Sequence, residues 1–229
     1  MNFLELLNIW DTNLFLIING FNNSILDYVM LALSDKFIWI PVYINVLYII
    51  VVIWKKESLW LILALILCIV IADRVSSGII KELTHRLRPS HEPSLEGLIH
   101  IVNGYVGGMY GFVSSHAANT IGFALLSSLI FKEQQYTYGV FAWAIAVSYS
   151  RIYLGVHYPL DVIGGMLVGI MSALICYWAL KKYRPKIFEI EGIEKKKKLY
   201  FVTTNLLIIT LTTVLLVSLF KILMFTPHI

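Results

Sequence analysis

The 229-residue chain is 59% hydrophobic and only 14% charged, with a mean hydropathy of +0.78 and a formal charge of +4. A water-soluble domain of this size does not carry so much apolar surface with so few charges, so that class is excluded. The apolar residues fall in blocks of roughly 20, the length a helix needs to cross a hydrocarbon core about 30 Å thick. The small basic excess gathers in loops between these blocks and carries no sign of nucleic-acid binding.

In chain order, residues 1–36 are apolar but broken by Asn19, Asn22, Asn23, Asp27 and Asp35. That pattern predicts an interfacial or re-entrant N-terminal segment, with a further crossing over 12–34 as the alternative. The start, MNFLELLNIWDTN, has no basic stretch and carries Glu5 and Asp11, so no cleavable signal is expected. Spans are predicted near 37–54, 59–80, 113–131, 137–154, 158–180 and 199–223. The chain therefore reads as an all-α polytopic membrane bundle with about six transmembrane helices. Residues 37–180 form a core of five spans, 181–198 a basic loop, and 199–229 a final helix and tail. Cys68 and Cys176 both lie inside spans, and no disulfide is expected.

The second span is apolar until Asp73 and Arg74, which read best as a structural pair. Asp73, Ser77 and Lys81 recur at helical spacing and predict one polar stripe. Residues 82–112 then form a long Gly- and Pro-containing loop with enough apolar and aromatic residues to fold as a cap on the membrane surface. His85, His91 and His100 in this cap lack metal-ligand spacing, and no metal or other cofactor is expected.

Val113-Ser114-Ser115-His116 opens the third span. Serines before an apolar run cap a helix and leave its first N–H groups pointing outward, where they attract a phosphate. The fourth span ends at Ser150-Arg151 and the fifth starts near His157, with Pro159 in its first turn and Asp161 four residues on. His157 and Asp161 then share one helix face. They read either as a satisfied pair at a helix start or as a nucleophile with its orienting carboxylate.

Alternating crossings place Lys81, Arg88, Ser114, His116, Ser150, Arg151, His157 and Asp161 on one side of the membrane. The other side collects Lys55, Lys56, Lys132, Lys181, Lys182, Arg184, Lys186 and Lys195 to Lys198, 11 of the 18 Lys and Arg. By the positive-inside rule that side is cytoplasmic, and the polar cluster faces the periplasm or exterior.

Lys81-x6-Arg88-Pro89, Ser114-x-His116 and Ser150-Arg151-x5-His157-x3-Asp161 together resemble the three-part signature of the type-2 phosphatidic acid phosphatases, which share their fold with vanadium haloperoxidases. The likeness covers roughly residues 37–180. It departs in the middle part, where the family usually has Pro-Ser-Gly-His and this chain has Val113 and Ser115. Serine keeps the backbone N–H, so the oxyanion contact is expected to survive. The resemblance implies a metal-independent lipid phosphatase in a bacterial inner membrane. Lys81, Arg88, Ser114, Ser115 and Arg151 would hold phosphate. His157 would attack phosphorus to give a phosphohistidine, with Asp161 orienting it and His116 protonating the leaving oxygen. Such chemistry needs mainly positioning and cancellation of charge on the phosphoryl oxygens, which three cations supply. The expected partner is a membrane lipid in the bilayer, with undecaprenyl diphosphate favoured. Phosphatidylglycerophosphate, phosphatidate and the 1-phosphate of lipid A are the rivals, and a phosphotransferase would use the same intermediate. An anion transporter is the alternative of a different class. It is disfavoured because the polar residues lie at one membrane edge and no repeated halves are visible.

Overall fold

The computed structural model describes residues 2–189 and 193–225, and these form a helical bundle with no β-strand among them. The helices are α1 (Phe3–Gly20), α2 (Ser24–Ser34), α3 (Ile40–Trp54), α4 (Ser58–Asp73), α5 (Lys81–Thr84), α6 (Ser115–Phe131), α7 (Gln134–Tyr153), α8 (Pro159–Tyr183) and α9 (Ile193–Phe225). Each predicted span coincides with one of α3, α4, α6, α7, α8 and α9. By length and hydropathy, two helical stretches are fit to cross a membrane, Lys36–Thr84 and Pro159–Tyr183. Ser115–Phe131 and Ile208–Phe220 are shorter apolar helices, and α1 and α2 meet at 117°. The basic loop expected over 181–198 includes residues 190–192, which lie outside the described residues, as does the tail from 226 onward.

Local sequence explains where the helices begin. Asn2 caps α1 and forms a reciprocal box with Glu5, Asn23 caps α2, and Glu133 caps α7. Lys55, at φ 47°, breaks the long helical run between α3 and α4, and Lys132 in the left-handed region ends α6. Between α4 and α5 the helix widens into a π segment, Arg74–Ile80, in which the Lys81 N–H donates to the Ser76 carbonyl five residues back. The stripe expected from regular helical spacing is therefore altered: Ser76 is the fully buried residue, while Ser77 is only half-buried.

The bundle is apolar outside as well as in its core, and its small and polar residues face inward. On α8, Ile163, Leu167, Met171, Leu174 and Trp178 are exposed, whereas Gly165, Gly169, Ser172 and Cys176 face inward. That inversion is what a lipid solvent selects, because small inward residues let helices approach closely without a hydrophobic drive between them. The approach is tightest between α8 and α6. A methyl group on Gly165 would collide with the Ser114 carbonyl, and one on Gly169 with the Ala118 carbonyl. Edge-on aromatic contacts among Trp39, Tyr43, Phe123 and Trp143 help fill the interior between α3, α6 and α7. The consequence is that the N-terminal ends of α6 and α8 are pinned side by side.

Candidate active site

Four stretches of backbone meet at that pinned end: the α5 end, the cap, the start of α6, and the α7–α8 loop. Ser114 is fully buried and caps α6 by accepting the Ala117 N–H, while its own N–H donates to the Asp161 carbonyl. This bond ties the start of α6 directly to the first turn of α8. The N–H groups of Ser115 and His116 stand at the open end of α6, where the helix dipole is positive.

His157 is not in α8. It lies in the loop before it, with Tyr158 extended at the helix cap and Pro159 at the first position. The pairing with Asp161 nevertheless forms: Nδ1 of His157 lies 3.3 Å from Oδ2 of Asp161. Asp161 is the third residue of the helix, and its Oδ2 also accepts the Tyr158 N–H at 3.0 Å. The carboxylate is thus placed by a helix-capping geometry, which also fixes the ring. His157 is 1% exposed and Asp161 0%. Removal from water holds the imidazole well below its ordinary pKa, and Arg88, Arg151 and Lys81 push it the same way.

The three cations surround this pair. Lys81 donates from Nζ to the Ser115 hydroxyl at 3.3 Å. Arg88 is fixed by Nε on the Tyr110 carbonyl (3.1 Å) and Nη1 on the Val156 carbonyl (3.4 Å). Arg151, 1% exposed, donates to the Ser34 hydroxyl of α2 and to the Tyr105 hydroxyl of the cap. Its Nε has no hydrogen-bond partner. None of the three makes an ion pair among the described residues. A buried guanidinium with an unused donor, beside two further cations, is a place prepared for an anion. His116 lies within electrostatic reach of His157 and of all three cations. It and Ser115 are the half-buried members of the set, so the opening lies on their side.

The structure therefore brings together Lys81, Arg88, Ser114, Ser115, His116, Arg151, His157 and Asp161. Ser150 is left out, since its hydroxyl bonds back to the Val147 carbonyl of its own helix. The expected pairing of Asp73 with Arg74 is not found: Arg74 is exposed, and Asp73 accepts from Asn119 at 3.4 Å. Successive residues on a helix point apart, which is why the two do not meet. The cap histidines go to separate partners, His85 against the Tyr110 ring, His91 to the Gly107 carbonyl and His100 to Asp27.

Other members were not singled out from sequence. Arg86 joins Asp161 to Asp11 of α1. Asn19 of α1 donates to the carbonyls of His100 and Tyr153 and accepts the His100 N–H. Arg86 sits inside the Lys81-x6-Arg88 interval, and that spacing was the one signal available for it.

The PAP2 superfamily profile matches residues 57–185, more than half of the chain. The chain belongs to the PAP2 superfamily. It is a membrane lipid phosphate hydrolase of the metal-independent type-2 phosphatidic acid phosphatase kind. A Lipid A 4'-phosphatase of Bacteroides thetaiotaomicron is 36% identical over 186 residues, covering 80% of this chain and 83% of that one. A Lipid A 4'-phosphatase of Porphyromonas gingivalis is 37% identical over 170 residues, 73% of this chain and 71% of that one. An Undecaprenyl-diphosphatase of Sulfolobus acidocaldarius is 29% identical over 163 residues, 70% and 73% of the two chains. Among solved structures, Aquifex aeolicus LpxE superposes with a TM-score of 0.55 at 25% identity, covering 72% of this chain and 93% of that one.

Proposed function

We propose that this PAP2 member removes phosphate from lipid A in a bacterial membrane, through a phosphohistidine on His157. The observation that carries the chemistry is the unpaired Nε of buried Arg151 beside Lys81, Arg88 and the His157–Asp161 pair. Phosphate fills that space, its oxygens bound by the three cations and by the N–H groups at the start of α6. Asp161 accepts the Nδ1–H hydrogen bond and so keeps the Nε2 lone pair free to attack phosphorus, the Nε2–P bond forming as the bond from phosphorus to the leaving oxygen breaks. His116, at the half-buried rim, donates a proton to the departing sugar oxygen. Water, deprotonated by the same imidazole, then attacks the phosphohistidine and releases inorganic phosphate.

For the substrate, the relatives favour lipid A over the undecaprenyl diphosphate that the sequence alone favoured. The two named Lipid A 4'-phosphatases are more similar to this chain, over more of its length, than the named Undecaprenyl-diphosphatase. The distribution of basic residues supports a site facing the periplasm. The deciding experiment measures phosphate release by purified full-length protein in detergent from lipid A, undecaprenyl diphosphate and phosphatidylglycerophosphate. Lipid A should show a kcat/KM at least about tenfold above the others, a 1.4 kcal/mol preference. A preference for undecaprenyl diphosphate would restore that reading instead.

A further inference from the structure

Arg86 precedes Arg88 by two residues, at one of the unspecified positions of the three-part signature, yet its guanidinium is shared between two buried carboxylates. Nη1 donates to Oδ1 of Asp161 at 2.8 Å, and Nη2 donates to Oδ2 of Asp11 at 2.7 Å. The carbon at the centre of the fork lies 4.3 Å from the centroid of the Tyr158 ring. Asp11, 3% exposed, uses its other oxygen to accept the Leu160 N–H at 2.9 Å. Asp161 uses its other oxygen for His157 and the Tyr158 N–H. One rigid fork thus spans α1, the entrance of the cap and the first turn of α8.

We propose that Asp11 and Arg86 act as a positioning pair for the phosphatase reaction: Asp11 holds the guanidinium, and the guanidinium holds the Asp161 carboxylate with its free edge toward Nδ1 of His157. The inference rests on the reading of His157 as nucleophile. His157 and the Tyr158 N–H both hold Oδ2, so the cap sets where that oxygen lies but leaves the carboxylate able to tilt about it, and each tilt shifts the ring from its productive orientation. Arg86 occupies the opposite oxygen and prevents that tilt. A lysine could supply the charge but not two parallel N–H donors to two acceptors. Asp11 contributes this from a helix that other contacts also hold in place. Asn19 holds the far end of α1 by three hydrogen bonds, and Phe15 packs edge-on against Tyr158 at 5.5 Å.

The test uses full-length protein in detergent with lipid A as substrate, and the variants Asp11→Asn, Arg86→Gln and Arg86→Lys. Supporting groups of this kind change activity by roughly 10- to 100-fold when lost. Asp11→Asn should lower kcat about tenfold with KM within about twofold of wild type, and the rate of phosphoenzyme formation should fall in step. Arg86→Gln should cost about 100-fold in kcat, and Arg86→Lys should recover part of it. The double variant Asp11→Asn/Arg86→Gln should be no slower than Arg86→Gln alone, since the two act as one unit. Wild-type kcat in Asp11→Asn would overturn the proposal, as would a change confined to KM or costs that multiply in the double variant. If Arg86→Gln fails to fold, the kcat of Asp11→Asn and Arg86→Lys decides the matter. Failure of the nucleophile reading is seen separately, as activity retained in His157→Ala.

Discussion

Gly165 lies so close beneath the Ser114 carbonyl that no side chain of any size fits between them. This contact sets the distance between the start of α6, with His116, and the start of α8, with Asp161. Gly165→Ala forces the two helices apart against backbone atoms, which cannot rotate away as a side chain can. Overpacking of this kind costs about 1–3 kcal/mol, and the melting temperature should fall by roughly 3–10 °C. Turnover should fall with it, because the two histidines separate. Gly20→Ala, whose added methyl meets nothing within 4 Å, is the matched control. Equal melting temperatures in the two variants would refute the packing argument.

In the proposed mechanism, loss of the imidazole at residue 157 removes the nucleophile itself. His157→Ala should reduce turnover by on the order of 1000-fold or more and abolish acid-labile phosphoenzyme in a quench experiment. His116→Ala should also be slow on lipid A. On an aryl phosphate, whose leaving oxygen needs no proton, the deficit should shrink by roughly 100-fold. An equal deficit on both substrates would remove His116 from the role of acid.

Orthovanadate takes the five-coordinate geometry of phosphorus in transfer, and it should inhibit in competition with lipid A. Arg151→Ala removes one of the buried donors around that geometry. Its inhibition constant for vanadate should rise by about 100-fold, the usual cost of one such donor. An unchanged constant would show that the unpaired Nε faces something other than the phosphoryl oxygens.

The pH dependence follows from the setting of His157. Burial first, then the charges of Arg88, Arg151 and Lys81, holds the imidazole pKa well below 6.5. The neutral form, the one the proposed attack needs, therefore persists as pH falls through 6.5, and protonation sets in only below it. The profile of kcat/KM, which reports the free enzyme, should therefore show no loss from protonation of His157 as pH falls through 6.5. Removing one cation weakens the same effect, so in Arg151→Ala the acid limb should move upward. A His157 ring resonance titrating at 6.5 in the native protein would contradict the enclosure of the ring.

Sidedness can be read chemically. Ser94 is exposed in the cap, and the two native cysteines, Cys68 and Cys176, are buried. A membrane-impermeant maleimide should label Ser94→Cys in intact spheroplasts if the cap faces outward. Labelling only after lysis would place the site on the cytoplasmic side.

Much of the site was legible because a charge inside an apolar chain is costly and stands out. Lys81, Arg88, Arg151, His157 and Asp161 are visible for that reason, and their placement at helix ends follows from the apolar blocks beside them. Arg86 and Asp11 were not legible. Asp11 lies 75 residues before Arg86, in a segment whose polar residues look like those of any interfacial helix. Asn19 was read there only as an interruption, although it joins α1 to the cap and to α7. The Asp73–Arg74 pairing failed for a simpler reason, since adjacency in sequence is separation on a helix. The location of His157 outside α8 was hidden because a capping turn and a helical turn bring residues four apart to similar distances.

The wide turn at Arg74–Ile80 has a consequence for Lys81. A seven-residue stretch bonded five back lags an ordinary helix by roughly one residue of rotation, about 100°. The ammonium that meets Ser115 would, on a regular helix of the same sequence, swing a quarter-turn out of the anion's shell. The irregularity is thus an aiming device: deleting one residue of the stretch, such as Gly78, restores ordinary bonding and leaves the ammonium pointing the same way, whereas a regular helix that keeps all seven residues turns it aside.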